Sequence, residues 1–434
     1  MTPETIGLIC IGFLILMFML GLPVAFAMAL VGFGGFAWLS GFDSTLVLLA
    51  HDVFDTFNSY TLSVIPMFIL MGSFAYASGI SQRLYRTNYV WLGNMRGGLT
   101  IATVMACAGF AAICGSTAAT AATMGRIALP EMKKYGYADR LATGTVAAAG
   151  TLGILIPPST ILIIYGILTE QSIGKLFLAG IVPGIMLAMA FVITVVVLCS
   201  LNPKFGPPGP ATTFQEKIRS FTGIAEAMIL FALTIGGIFA GWFSPTQAGA
   251  IGAAGALVIG IVRRQMTIQN FLSACRDGLR TGVMVIFIIT GATVFGHFMA
   301  ISNIPFALAD WVGSLDIAPS ILIGLIIFVY FIGGFFMDSM ALVVVTIPIF
   351  YPLIQRLHFD PIWFGVIIVL VAEMGVITPP VGVNVFVIKG IAPQVPLERI
   401  FRGIVPFLIA LILVTIIIVI FPQIATFLPN MIKY

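Results

Sequence analysis

The sequence predicts an all-α polytopic membrane protein built from inverted structural repeats, with two re-entrant helical hairpins and two discontinuous helices. Three observations carry that expectation. Of 434 residues, 60% are hydrophobic and 8% charged, and the mean hydropathy is +1.14, whereas soluble domains hold about 25% charged residues. Apolar runs of about 20 residues, the length that crosses a bilayer, recur along the whole chain. A proline doublet inside one such run, Gly153-Ile-Leu-Ile-Pro157-Pro158-Ser159, returns 222 residues later as Gly375-Val-Ile-Thr378-Pro379-Pro380-Val381.

In chain order, spans are expected at 4–20, 22–40, 61–80, 141–169, 176–200, 222–240, 245–262, 281–300, 361–390 and 403–428. The first run, Ile6–Leu20, passes through Gly21-Leu22-Pro23 into Val24–Leu39 with no basic n-region or cleavage site, so it reads as a retained span rather than a signal peptide. Residues 1–80 form the first scaffold helices. Within them, 41–60 is an external arm segment whose Asp43, His51, Asp52 and Asp55 read as a solvated loop. Residues 81–200 form the first transport repeat, with a hairpin at 98–130 and a broken helix at 141–169. The connector 201–220 carries Pro203, Pro207, Pro208 and Pro210 among polar residues. Residues 221–317 supply the second scaffold helices. Residues 318–434 form the second transport repeat, with a hairpin at 318–354 and a broken helix at 361–390.

The two hairpins are apolar pieces interrupted at Gly115-Ser116-Thr117 and Met337-Asp338-Ser339, again 222 residues apart from Ser116 to Asp338. Leu129-Pro130 and Tyr351-Pro352 repeat at the same shift, and Gly180-Ile-Val-Pro183 matches Gly403-Ile-Val-Pro406 one residue further on. Ending the return arm of the first hairpin at Pro130 leaves it about 13 residues, short for a span of about 20. With an external N-terminus, the loops 81–97, 126–140, 201–220, 263–280 and 389–402 are cytoplasmic and hold 17 of the 20 Lys and Arg; Lys175, Arg356 and Lys433 fall outside. Cytoplasmic loops concentrate basic residues, so this bias supports the topology and accounts for Arg263-Arg264, Arg276 and Arg280 as orientation signals. Five crossings separate the repeats, which turns the second upside down and places both termini on the external face. Matching broken helices in two halves mark a secondary transporter with its site at the repeat interface.

The interruptions dictate what chemistry is available. Proline donates no backbone hydrogen bond and clashes with the preceding turn, so the carbonyls of Gly153 to Ile156 lose their helical partners. An unsatisfied carbonyl in hydrocarbon costs several kcal/mol. Neighbouring side chains, ordered water or a hard cation such as Na+ could satisfy them. The half-helix restarting at Ser159 points free N–H groups and a positive dipole at the break, which suits an anion. Ser116, Thr117, Thr120 and Thr123 put hydroxyls on one face of the return arm; small residues there equally suit close helix packing. Asp338 and Glu373 are the acids deepest in apolar segments, where a carboxylate costs about 2.5–3.5 kcal/mol or more. Asp338 could neutralise a cation or carry a proton, and Glu373 could do either or pair structurally. Asn384, one turn into the second half-helix, could bond a substrate carboxylate or tie helices together.

Other functional classes lack their residues. The five cysteines (Cys10, Cys107, Cys114, Cys199, Cys275) show no metal or redox spacing. Three widely separated histidines, His51, His297 and His358, argue against a metal-dependent hydrolase. No phosphate-binding loop exists, so ATP does not drive this chain directly. No enzymatic activity and no cofactor are expected, Na+ serving as the coupling ion.

At this point a family resemblance rests on named residues. Gly115-Ser-Thr-Ala-Ala-Thr-Ala-Ala-Thr-Met-Gly125, Leu129-Pro130-Glu131-Met132, Ala149-Gly-Thr-Leu-Gly-Ile-Leu-Ile-Pro-Pro-Ser159 and Gly375-Val-Ile-Thr-Pro-Pro-Val-Gly-Val-Asn384 resemble the large membrane subunit of tripartite ATP-independent periplasmic transporters, along nearly the whole chain. The resemblance implies Na+-driven import of an organic acid, such as a C4-dicarboxylate, sialic acid or sugar acid, across a bacterial inner membrane. It implies two partners, a periplasmic substrate-binding protein and a small four-helix membrane subunit, the latter expected as a separate chain. It also implies an elevator motion of the hairpin-bearing domain against a scaffold. Carried onto this sequence, one Na+ site involves Ala111, Gly115 and Ser116 with Gly153, Ile156 and Pro158. A second involves Met337, Asp338 and Ser339 with Gly375, Thr378 and Pro380. Ala111 and Cys114 stand where family members often have serine, so ligands there would come from the backbone. Substrate would meet Thr117, Pro157, Ser159, Glu373 and Asn384. The competing readings are a stand-alone Na+/carboxylate symporter or Na+/H+ exchanger, with Asp338 and Glu373 as proton carriers, and an ABC-type permease with a coupling loop in Leu129–Gly144.

Overall fold

The computed structural model describes residues 1–314 and 318–431. Lys433 and the expected domain boundary at 317 lie outside the described residues. All regular structure among the described residues is helical. Seven of these helices are long and apolar enough to cross a membrane, and five shorter apolar helices accompany them.

The chain opens with Pro3–Met19 and Val24–Ser40. The expected solvated loop at 41–60 is instead a helix, Phe42–Asn58, bent by 55° from the following Thr61–Ala77 segment. Tertiary pairing explains the difference: Asp52 is only 4% exposed, and its carboxylate lies 2.9 Å from Nδ1 of His297 on the long helix Ile268–Ile301. That long helix starts well before the expected 281. It packs closely on Val24–Ser40, where a Cβ on Gly32 would stand 2.7 Å from the backbone of Phe295, the small-residue packing that membrane helices favour.

Helix Ile80–Leu92 is tied to the scaffold by a buried carboxylate. Glu226, 8% exposed, accepts from Arg83 Nε at 2.8 Å and Arg263 Nε at 2.6 Å. Orientation alone therefore does not account for Arg263, and Glu226 joins the deeply placed acids. The scaffold continues through Thr222–Phe231, a π turn at Ala232–Gly236, Gly237–Phe239 and Pro245–Val262.

The same succession of hairpin and broken helix occurs twice. In the first half it is Gly98–Cys114, Thr117–Lys134, then Asp139–Ala149, Leu152–Leu155 and Thr160–Leu168. The return arm does not end at Pro130: it runs on to Lys134 with the proline inside it, so the arms are of nearly equal length. The connector clips the base of this hairpin through Gly97 N–H to Gly206 O at 2.8 Å, Gly209 N–H to Gly93 O at 2.8 Å and Ala138 N–H to Phe205 O at 3.1 Å. In the second half the succession is Pro319–Gly333, Ser339–Arg356, then Pro361–Ile377 and Val383–Ile391. The apolar run Ile362–Ile377 is buried on every side, as expected of a helix hydrophobic all round. The expected span 403–428 begins earlier, at Leu397, and stops at Ile420, where Phe421-Pro422 separates it from Gln423–Met431. Peripheral helices turn apolar residues outward, including Ile185, Met189 and Ile193 at 50% exposure or more. An apolar exterior around a packed interior suits lipid, because helices satisfy their own backbone groups there.

Candidate functional site

The first hairpin tip sits directly on the first helix break. Gly115 takes φ +65°, a conformation glycine adopts without penalty. Its carbonyl accepts from Thr160 Oγ1 at 2.9 Å, and a Cβ there would stand 2.7 Å from the carbonyl oxygen of Pro158. Pro157 and Pro158 carry no N–H, so the carbonyls of Gly153 and Ile154 have no helical donor four residues on. Opposite them, a Cβ on Gly153 would stand 2.8 Å from Thr120 Oγ1 and 2.5 Å from the Ser116 carbonyl oxygen. Thr120 Oγ1 is buried without any hydrogen-bond partner. The Ser116 carbonyl also accepts the Thr120 N–H at 3.0 Å and keeps its second lone pair, so the oxygen here without any partner is the Thr120 hydroxyl, with Gly153 packed against both. The Ala111 carbonyl is already engaged by Gly115 N–H at 3.3 Å, Ile156 packs its side chain on Gly184, and Ser159 Oγ caps the half-helix by accepting from Leu162 N–H at 3.2 Å.

The second half uses a different register. Gly334, not Asp338, meets the broken helix: a Cβ on Gly334 would stand 2.9 Å from Gly375 Cα. Asp338 caps the return arm by accepting from Met340 N–H at 3.1 Å and remains exposed. Thr378 Oγ1 donates within its own helix to the Met374 carbonyl at 2.5 Å, and Pro379 and Pro380 are exposed, whereas Pro157 and Pro158 are buried. Among the described residues no hydrogen bond joins Met337 or Asp338 to Thr378 or Pro380.

Glu373 ties the two halves. It is 1% exposed and accepts from Thr117 Oγ1 at 3.1 Å and from Ser339 Oγ at 3.0 Å, one hydroxyl from each hairpin tip. All three line a cavity of about 750 Å³ together with Asp338 and Asn384. Asn384 Nδ2 donates to the Ala147 carbonyl at 3.1 Å, while its Oδ1 is buried without a partner. Of the residues expected at substrate, Thr117, Glu373 and Asn384 therefore meet in one cavity. Pro157 and Ser159 lie behind its wall, and the restarted half-helix reaches it through Thr160 and Ile161.

Sequence reasoning missed Arg126, Asn270 and Asp277, which line the same cavity. Arg126 counts as a loop residue only if the hairpin arm is thought to end near Pro130. Asp277 does so only if the long helix is thought to start at 281. The cavity lies between the hairpin-bearing elements and the scaffold helices Val64–Ala77 and Ile268–Ile301, its walls mixing small residues, hydroxyls and a few charges. No group of three or more His, Cys, Asp or Glu side chains suited to a metal ion occurs among the described residues.

The chain as a whole is similar to known proteins. The chain is 37% identical over 383 residues to the C4-dicarboxylate TRAP transporter large permease protein DctM of Pseudomonas aeruginosa, covering 88% of this chain and 89% of that protein. It is 31% identical to the sialic acid TRAP transporter large permease protein SiaM of Vibrio cholerae, covering 95% of each. In fold it is similar to the YdaH transporter of Alcanivorax borkumensis, with a TM-score of 0.67 at 15% identity over 88% of this chain and 89% of that one. The family model described as the tripartite ATP-independent periplasmic transporter, DctM component, matches residues 11–424, and the chain belongs to that family.

Proposed function

We propose that this chain is the large permease of a Na+-coupled secondary importer of an organic acid, working in a bacterial inner membrane with a periplasmic binding protein and a small four-helix membrane subunit. The observation that carries the reading is the meeting of both hairpin tips on Glu373 inside a cavity between the hairpin-bearing elements and the scaffold. A substrate held there touches both halves of the chain at once.

Na+ fits the first break best. The carbonyls of Ser116 and Gly153 and the unpartnered Thr120 hydroxyl offer the hard oxygen donors such a cation prefers. Thr120 thereby joins the residues expected from sequence. At the second site Asp338 and Ser339 supply charge and hydroxyl at the tip, with Gly375 beside Gly334 as the backbone contact. Thr378 and Pro380 would need to approach that tip to complete it. Bound Na+ offsets the acids of the cavity and gives an incoming carboxylate its countercharge. Inward movement of one uncompensated positive charge gains about 2.3 kcal/mol per 100 mV.

The charge bias of the loops supports taking the wall at Gln82, Arg126, Asn270 and Asp277 as the cytoplasmic one and both termini as periplasmic. In this reading the cavity is seen facing inward. An elevator step would carry the hairpins and broken helices past Val64–Ala77 and Ile268–Ile301 to reach the other face. C4-dicarboxylates, sialic acid and sugar acids are the substrate candidates that the relatives suggest. The test is uptake into proteoliposomes holding the chain and its membrane partner, with each candidate binding protein loaded with its acid. Uptake should require both Na+ outside and the binding protein. Equal uptake in Na+-free medium would overturn the coupling, and uptake without any binding protein would favour a stand-alone symporter.

A further inference from the structure

We infer that Arg126 is the substrate-carboxylate anchor of this permease, a specificity-determining residue that acts together with the hydroxyl junction at Glu373. The inference rests on the organic-acid reading above and adds the group that selects the acid. Among the described residues lining the cavity, Asp277, Asp338 and Glu373 are acidic and Arg126 is the only basic one. An organic anion entering that chamber meets three carboxylates, and a fixed cation is what distinguishes it from a neutral solute. Arg126 makes no salt bridge or side-chain hydrogen bond among the described residues, unlike Arg83, Arg140, Arg263, Arg356 and Arg399; exposed arginines such as Arg86 and Arg276 are also without partners there, but Arg126 is the one that lines the cavity. Its guanidinium is therefore uncommitted.

The helix prepares the space around it. Ala119, Ala122 and Thr123 precede Arg126 by seven, four and three residues, which puts them on one face, and all of them line the cavity. Small side chains there leave room for the long Arg side chain to lean back toward the helix N-terminus, the direction helical side chains take. From Thr117 to Arg126 is a rise of about 13 Å at 1.5 Å per residue. Less the reach of the arginine, that leaves a gap spanned by a small acid. One carboxylate would take the guanidinium as a bidentate partner, and the other end would meet Thr117, Ser339 and Asn384. Because Arg126 sits on the hairpin arm, the anchor travels with the hairpin.

The test uses proteoliposomes of the full transporter and the acid that wild-type protein is found to carry, with equilibrium binding of the same acid to the detergent-solubilised permease in Na+ buffer. For Arg126→Gln, the dissociation constant and KM should rise about ten- to hundredfold, the loss typical of a charged hydrogen-bonded pair. The Na+ concentration for half-maximal uptake should stay unchanged. Arg126→Lys should recover part of the affinity, since a point charge replaces a planar fork. Arg126 is exposed, so these variants should fold, which gel filtration checks. Acid affinity within twofold of wild type in Arg126→Gln would overturn the inference, as would a change confined to Na+ dependence. Wild-type protein that neither binds nor transports any organic acid would overturn the parent reading instead.

Discussion

Replacing Thr120 by valine isolates the first ion site, because it exchanges one hydroxyl for a methyl and leaves the shape of the side chain unchanged. In the fold, that hydroxyl is buried and without a hydrogen-bond partner, a situation that costs about 1–3 kcal/mol. In Na+-free medium Thr120→Val should therefore be as stable as wild type or more so, by up to that amount. In Na+ the order should change. A cation bound by the folded state stabilises it by RT ln(1 + [Na+]/Kd), about 2.7 kcal/mol at 100 times Kd. Removing one coordinating oxygen should weaken Na+ binding about tenfold or more, taking the worth of a hydrogen bond to a charged group, about 1.5–3 kcal/mol, as the guide. The assay is thermal unfolding of the purified permease in matched choline and sodium chloride, paired with the Na+ dependence of uptake. Wild type should gain stability from Na+, and the variant should gain less at every Na+ concentration below its own saturation. Two outcomes would refute the reasoning: a variant less stable than wild type without Na+, which would reveal a structural partner for the hydroxyl, or an unchanged Na+ response.

Three further expectations follow from the same geometry. Gly153→Ala would press a methyl to within 2.8 Å of Thr120 Oγ1 and against the Ser116 carbonyl; overpacking costs about 1–3 kcal/mol, so half-maximal Na+ should rise several-fold in uptake assays, and an unchanged value would count against the site. Glu373→Ala strands the hydroxyls of Thr117 and Ser339 at about 1–3 kcal/mol each; uptake should be lost and the unfolding midpoint lowered, with the stability loss less than additive when Thr117→Val and Ser339→Ala are combined with it. Glu226→Gln removes the charge between Arg83 and Arg263. Breaking a buried pair costs about 3–5 kcal/mol, less here because the Arg83 and Arg263 side chains are 20% and 43% exposed, so chemical unfolding should show a loss of about 1–3 kcal/mol and a change below 0.5 would contradict the clamp.

The helix breaks are legible in the sequence because proline and glycine act locally: a doublet that cannot donate hydrogen bonds must open its helix wherever it is placed. The hairpin tips are legible for a similar reason, since polar residues interrupt an apolar run. Pro130 misleads, because a proline inside protein can lose one backbone bond without ending its helix, and the arm length and the position of Arg126 both depend on that outcome. The arm helix Phe42–Asn58 is hidden for a different reason. Asp52 looks solvated until His297, far along the chain, is brought beside it. Glu226 likewise reads as an isolated acid until Arg83 and Arg263 close on it. Glu373 is recognisable as a buried acid, but its two hydroxyl donors come from tips 256 and 34 residues away, and no local pattern records that meeting. The 222-residue repeat also suggests more symmetry than the fold has, since Ser116 and Thr120 face Gly153 in one half while Gly334 faces Gly375 in the other.

Coupling is tested most directly by the direction of flux. Proteoliposomes containing the permease and its membrane partner are loaded with the transported acid, held at zero membrane potential, supplied with the loaded binding protein outside, and exposed to a series of Na+ gradients. Net flux of the acid should reverse sign as the Na+ gradient is turned from inward to outward, with the reversal point moving with the acid gradient in a fixed ratio. A flux whose direction follows the acid gradient alone, whatever the Na+ gradient, would contradict Na+-driven import.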